Sequence, residues 1–237
     1  MLKIEHFSKQ YKGGKKAVDD LTLTVEAGDI YGFIGHNGAG KTTTIRAIVG
    51  VLDFEEGTIE IDGHSVQKEP LACKQVTAYI PDNPDLYEHL TGIQYLNFIA
   101  DMFEVSKTDR ETLITKYAEA FDITQNLGDL ISSYSHGMKQ KLAVTSALIH
   151  QPKLLVLDEP FVGLDPKAAH LLKQFMHELC SQGSAIFFST HVLDVAEKLC
   201  NKIAIIKDGR LIESGPIARV KGNSSLEDVF MELIDDE

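Results

Sequence analysis

Eight consecutive residues, Gly35-His36-Asn37-Gly38-Ala39-Gly40-Lys41-Thr42, set three glycines ahead of a lysine and a threonine. They fit the pattern Gly-x-x-x-x-Gly-Lys-[Ser/Thr], and the chemistry of that pattern is phosphate binding. Glycines let backbone N–H groups turn inward around an anion. Lys41 reaches the β- and γ-phosphates, and the Thr42 hydroxyl ligates Mg²⁺. The glycine spacing is wrong for a dinucleotide fingerprint, Gly-x-Gly-x-x-Gly. Further along, Leu154-Leu155-Val156-Leu157-Asp158-Glu159 is an apolar run closed by two acids. Alone, such a pair is as readily a solvated strand cap. Beside a phosphate loop, Asp158 takes the metal-holding role and Glu159 is placed to orient or deprotonate an attacking water.

His191 follows the run Ala185-Ile186-Phe187-Phe188-Ser189-Thr190. A lone histidine is more often structural. This one closes a strand, the end at which an open α/β sheet binds ligand, and its imidazole can hydrogen-bond a γ-phosphate. Gly35, Asp158 and His191 all follow strand ends, so one crevice can collect them. Tyr134-Ser135-His136-Gly137-Met138-Lys139-Gln140 stands at a helix start: Ser135 is a good N-cap and Gly137 permits close backbone approach. Without further context it reads as a cap and a turn.

The elements that must position these residues follow from pattern. Residues 2–11 and 20–26 alternate as strands, Gly28-Asp29 turns, and Ile30 to Ile34 is a short apolar strand. Thr42 to Val49 reads as a helix stopped by Gly50. Strands are expected at 58–61 and 76–80. Helical spacing runs from Thr91 to Phe121 and again from Lys139 to Ile149. Lys153 to Leu157 is a strand, Pro166 opens a helix, Ala185 to Phe188 is a strand and Val192 to Leu199 a helix. Ile203 to Ile206 and Arg210 to Ile212 form a hairpin, because Asp208-Gly209 suits a type I′ turn. Alternating strands and helices imply an α/β fold with a mostly parallel sheet covered on both faces. There is no internal repeat, low-complexity tract or long linker.

Composition narrows the classes. The 237-residue chain carries a net charge of −12, and its only basic cluster is Lys12, Lys15 and Lys16, so nucleic acid is not an expected partner. The apolar runs are strand-sized, far short of the roughly 20 residues of a spanning helix. No signal-peptide pattern opens the chain, and the expected location is the cytosol. Cys73, Cys180 and Cys200 are an odd number without paired spacing and read as reduced thiols. His177 and Cys180 could share a helix face, but two ligands do not make a zinc site.

Together the loop at 35–42, the segment 134–138, Asp158-Glu159 and His191 resemble, in that order, an ABC ATPase over nearly the whole chain. The resemblance implies a P-loop NTPase (RecA-like) sheet with an N-terminal antiparallel β subdomain and a helical arm subdomain. It implies one ABC ATPase domain over residues 1–230, with the arm at 86–150, followed by an acidic C-terminal tail at 231–237. ATP and Mg²⁺ are the implied ligands, with the nucleotide-binding stretch running from Gly35 through Ala39 and Lys41 to Thr43. Ser135, His136 and Gly137 are then expected to contact the γ-phosphate of ATP held by a partner subunit. Gly163-Leu164-Asp165 resembles the loop that bridges two such subunits, and Tyr11 the aromatic that stacks on adenine.

Two departures stand out. The family signature Leu-Ser-Gly-Gly-Gln is here Tyr134-Ser135-His136-Gly137-Met138, and the usual metal-linked glutamine is Asp82. Aspartate can still accept from metal-bound water, but it is shorter and charged. Pro84 to Thr91 and Ser225 to Phe230 resemble the type-2 exporter class, whose ATPases pair with a separately encoded membrane permease. The implied reaction is ATP hydrolysis powering transport by a head-to-tail dimer of identical or different ATPase subunits, peripheral at the inner face of the cell membrane through the permease. The competing reading is a non-transport ABC-type ATPase acting on nucleic acid or ribosomes. Those usually carry paired ATPase domains, a coiled-coil insert or basic tracts, and none is visible here. A small-molecule phosphotransferase is disfavoured by the signature and His191. A GTPase is disfavoured because Asn201-Lys202 continues as Ile203-Ala204 rather than as the guanine-reading Asn-Lys-x-Asp.

Overall fold

The computed structural model describes residues 1–235. In chain order they form β1 (Leu2–Gln10), β2 (Lys16–Val25), β3 (Ile30–Ile34), α1 (Lys41–Ile48), β4 (Glu56–Ile61), β5 (His64–Ser65), α2 (Pro70–Gln75) and β6 (Thr77–Ile80). Next come α3 (Gly92–Met102), α4 (Lys107–Ala120), α5 (His136–Leu148), β7 (Leu154–Asp158), α6 (Pro166–Ser181), β8 (Ala185–Thr190) and α7 (Leu193–Leu199). The chain closes with β9 (Lys202–Lys207), β10 (Arg210–Pro216), α8 (Ile217–Lys221) and α9 (Leu226–Asp235).

Two sheets result. One is antiparallel, in the order β2-β1-β4-β5; the other has the order β10-β9-β3-β8-β7-β6. In the second sheet β9, β3, β8, β7 and β6 are parallel, and only β10 runs against its neighbour. Burial explains why these strands are apolar throughout. Leu154, Val156, Phe187 and Phe33 face a core shared with the antiparallel sheet and α1. Leu155, Leu157, Ile186 and Phe188 face the opposite core, shared with the helices from α3 to α7. A strand buried on both faces has no polar side to alternate.

Side-chain caps start several of the helices, at α4 inside what the sequence reads as a single helical run. Thr91 and Gln94 form a capping box on α3, Ser106 accepts from Asp109 N–H on α4, and Asp165 accepts from Ala168 N–H on α6, with Pro166 in its first turn. The hairpin turn has Asp208 and Gly209 at φ 47° and 82°, both left-handed as a type I′ turn requires.

Several boundaries depart from the sequence reading. β2 begins at Lys16 rather than at residue 20. The helical run from Thr91 is broken at 103–106: Glu104 takes φ 55° and Ser106 caps a new helix. α5 begins at His136, ahead of the Lys139 start, because the Ser135 cap carries Gly137 into the first turn. α2, α8 and α9 were not anticipated. α9 enters the stretch read as an acidic tail, of which residues 236 and 237 lie outside the described residues.

One partly buried histidine fixes a pH response. His150 follows α5 and stacks on Phe103, at the end of α3, with ring centroids 3.7 Å apart and planes 7° from parallel. Its Nδ1 is buried without a hydrogen-bond partner. Burial pushes the imidazole down to about 4, from 6.5. The unfolded chain therefore binds a proton between pH 6.5 and 4 that the folded chain refuses, and stability drops as pH falls through that window. The loss between pH 7 and pH 5 is roughly 2 kcal/mol for this group. His150→Phe keeps the stack and removes the titration. Urea unfolding of the variant at pH 7 and pH 5 is expected to show that much less loss than the wild type; equal losses contradict it.

Candidate functional site

The parallel order places the ends of β3, β7 and β8 side by side. Ile34 pairs with Thr190 and Asp158 with Ser189, so the loops that follow leave from one rim. At that rim the residues after β3 wrap into a loop that ends at the N-terminus of α1. Gly40 has φ 109°, and a Cβ there would lie 2.5 Å from the Ala17 carbonyl; a Cβ on Gly35 would lie 2.5 Å from the Ile206 carbonyl. Only glycine fits either place. The loop is braced from outside as well: Gly209 N–H, at the tip of the β9–β10 turn, donates to the Ala39 carbonyl at 3.0 Å.

A cavity of about 250 Å³ opens above this loop. His36, Asn37, Gly38, Gly40, Lys41, Thr42 and Thr43 form one wall, and Asp82, Asp158 and Glu159 the other. Lys41 is buried, and its Nζ donates to the carbonyls of Gly35 at 2.6 Å and His36 at 3.2 Å. Nζ also lies 3.6 Å from Glu159 Oε1. That same carboxylate oxygen lies 3.0 Å from His191 Nδ1. Lys41, Glu159 and His191 thus meet, and Asp158 is their buried neighbour, 4% exposed.

Glu159 sits in a strained turn. Its φ of 49° is left-handed, a conformation that costs a non-glycine residue about 1–3 kcal/mol. Its N–H donates to Ser189 Oγ at 3.0 Å, and that hydroxyl donates to Asp158 Oδ1 at 2.5 Å. Sequence reasoning passed over Ser189. Its one signal was a polar residue near the end of an otherwise apolar strand. Close by, burial raises the Tyr79 hydroxyl to about 12, and the Asp158 charge adds to the rise.

The cavity suits a magnesium–triphosphate. Its phosphate-facing wall is a glycine-rich loop at a helix N-terminus, where backbone N–H groups and the dipole favour an anion. Among the described residues no three His, Cys, Asp or Glu side chains are grouped to hold a metal by themselves. Mg²⁺ takes one or two carboxylates and completes its shell with phosphate oxygens and water. Thr42, Asp158 and Asp82 are among the oxygen donors that line the cavity.

The other predicted residues lie outside the cavity. Tyr11 is 46% exposed, with its hydroxyl 3.4 Å from Thr43 Oγ1. Ser135 caps α5 by accepting from Met138 N–H. His136 and Gly137 pack instead against the turn at Gly163: a Cβ on Gly163 would lie 2.8 Å from His136 Nε2 and 2.7 Å from Gln140 Oε1. Asp165 pairs with Lys141 at 2.7 Å, and this ammonium, with the Ala168 N–H, holds its carboxyl below the usual range. Two surfaces therefore stand on one chain. The first holds the phosphate loop, both acids and His191; the second joins Ser135, His136, Gly137 and Asp165.

Comparison with known proteins adds to this geometry. A family model described as ABC transporter matches residues 18–162. The ABC-type transporter ATP-binding protein EcsA of Bacillus subtilis (strain 168) is 34% identical over 219 residues, spanning 90% of this chain and 89% of that protein. The bacitracin transport ATP-binding protein BcrA of Bacillus licheniformis is 36% identical over 222 residues, 93% of this chain and 71% of that one. A solved structure described as an ATP binding subunit of an ABC transporter superposes with a TM-score of 0.95 at 33% identity, covering 98% of this chain and 99% of its own. The dimeric ATP-binding cassette MJ0796, bound to ADP and Pi, superposes at 0.83 with 21% identity, covering 92% of this chain and 99% of its own, a likeness of fold alone.

Proposed function

Since this chain belongs to the ABC transporter family, we propose that the crevice above its glycine-rich loop binds ATP and that Glu159 drives the hydrolysis. The chain is an ATP-binding, ATP-hydrolysing subunit that powers transport by a separately encoded membrane permease and works as a head-to-tail dimer. One observation carries the residue assignment: Glu159 Oε1 lies 3.6 Å from Lys41 Nζ and 3.0 Å from His191 Nδ1.

In this reading the phosphates lie along the loop from Gly35 to Thr43. Lys41 leaves the Gly35 and His36 carbonyls for the β- and γ-phosphates. The adenine lies outside the cavity, over Tyr11. Mg²⁺, when bound, is held by Thr42 and Asp158 with Asp82 beside them, and neutralises phosphate charge. Glu159 takes a proton from water as the water oxygen bonds to the γ-phosphorus and the bond to the β–γ bridging oxygen breaks, its electron pair leaving with ADP. With Nδ1 toward Glu159, the His191 ring keeps Nε2 for the γ-phosphate.

Ser135, His136 and Gly137 reach the γ-phosphate held by the second ATPase subunit, identical or not, and Asp165 lies in the loop between them. Their separation from the cavity within one chain supports that assignment. The helical arm, residues 86–150, passes closure to the permease, which seats the protein at the inner face of the cell membrane. Among the described residues no helix is long and apolar enough to cross a membrane.

The test is phosphate release from ATP by the full chain with and without Mg²⁺, run beside Asp82→Gln. Release is expected only with the metal, and the variant is expected to stay within about 10-fold of wild type, because the amide oxygen of glutamine can take the carboxylate's place beside the metal. A wild-type chain that releases no phosphate contradicts the reading. A dead Asp82→Gln shows that the carboxylate does something a glutamine cannot.

A further inference from the structure

Ser189 is fully buried on β8, paired in register with Asp158 of β7. A serine hydroxyl offers one donor and two acceptor sites. Here the donor goes to Asp158 Oδ1 at 2.5 Å, the length of a charge-assisted O–H···O⁻ bond. The acceptor side takes Glu159 N–H at 3.0 Å. One hydroxyl therefore touches two consecutive residues, one through its carboxylate and the other through its backbone.

We propose that Ser189 is a positioning residue for ATP hydrolysis, fixing Asp158 and Glu159 relative to each other and to His191. The strand makes this possible. Two residues beyond Ser189, β8 delivers His191, whose Nδ1 lies 3.0 Å from Glu159 Oε1. The end of β8 thus grips Asp158 at its carboxylate and Glu159 at both backbone and side chain. The backbone grip is needed because Glu159 is held at φ 49°, a conformation that persists only when its surroundings over-determine it. Without the hydroxyl, Asp158 Oδ1 loses its donor and the part-buried Glu159 N–H loses its acceptor, so the turn relaxes and both carboxylates drift. Ser189 is fully buried behind the residues that line the cavity, so its effect falls on metal retention and on kcat. ATP itself is held by the loop between β3 and α1, which ends at Lys41, and that hold should persist.

The inference rests on the ATPase reading above, and the experiment separates the two. Ser189→Ala and Ser189→Thr are made in the full chain. ATP binding is followed in EDTA, Mn²⁺ binding with a non-hydrolysable ATP analogue by electron paramagnetic resonance, and phosphate release at saturating Mg²⁺–ATP. Ser189→Ala is expected to weaken Mn²⁺ binding and lower kcat by about 10-fold or more, as loss of an outer-shell partner does. Its ATP affinity in EDTA should stay within about 2-fold of wild type, because the loop contacts are untouched. Ser189→Thr, which keeps the hydroxyl, should recover most of the loss. Wild-type Mn²⁺ affinity and kcat in Ser189→Ala overturn the proposal and leave the ATPase reading intact. A parallel fall in metal-free ATP binding also overturns it, because that marks general collapse. A wild-type chain that binds no ATP overturns both. Should Ser189→Thr not fold, the Ser189→Ala measurements decide alone.

Discussion

Glu159→Gln keeps ATP binding and loses turnover, with phosphate release at least ~100-fold slower than wild type, the lower range for a general base. The amide has the carboxylate's shape and can still meet Lys41 and His191, so the turn after β7 survives. It cannot accept the proton of the attacking water. ATP then stays intact between two subunits, and the variant runs as a dimer in size-exclusion chromatography with Mg²⁺–ATP, whereas the wild type hydrolyses its way back to monomer. Phosphate release and elution volume are the measurements. Wild-type turnover removes Glu159 from its role and leaves the contact with Lys41 as a resting-state ion pair.

Lys41→Ala weakens ATP binding by about 100-fold, or roughly 3 kcal/mol, the worth of one or two hydrogen bonds to charged groups. Three contacts end together in the variant: Nζ to the Gly35 carbonyl, Nζ to the His36 carbonyl, and the approach to Glu159. The first two are internal to the loop, so lost affinity could reflect a collapsed loop rather than lost charge. Lys41→Arg separates these causes. It keeps the charge, but a planar guanidinium does not match the single-point approach of an ammonium. Calorimetric titration with ATP, beside a circular-dichroism spectrum, is the check. Unchanged affinity in a folded Lys41→Ala refutes the assignment of Lys41 to the phosphates.

The chemistry was legible in the sequence wherever it is local. The glycine-rich loop declares itself within eight residues; Asp158-Glu159 and the histidine after β8 gain meaning only beside it, and parallel strand order brings all three to one rim. Ser189 was not legible. A serine near the end of an apolar strand gains meaning only when register sets it opposite Asp158, and register lies far apart in the chain. The break between α3 and α4 was hidden for a different reason. Phe103 continues the helical spacing, and the signals that stop the helix, a left-handed Glu104 and a Ser106 cap, are single residues that helical periodicity overrides. At α5 the error ran the other way. Gly137 argued against helix, while the Ser135 cap, already recognised, was the stronger signal. The contact of His136 and Gly137 with Gly163 also needs the fold, because it joins the first turn of α5 to a turn that no spacing links to it.

The hydrogen bond from Gly209 to Ala39 bears on how short a working version of this protein could be. Every residue given a chemical role has passed by His191, so a truncation ending soon after it would keep the whole set of reacting groups on paper. Such a fragment would lack β9 and β10, and with them the peg that pins the loop carbonyl and the Gly209 carbonyl that receives Asp19 N–H from β2. The nucleotide grip is fastened by a piece of chain that carries none of the chemistry. The smallest useful fragment is therefore set by the hairpin, not by the last catalytic residue.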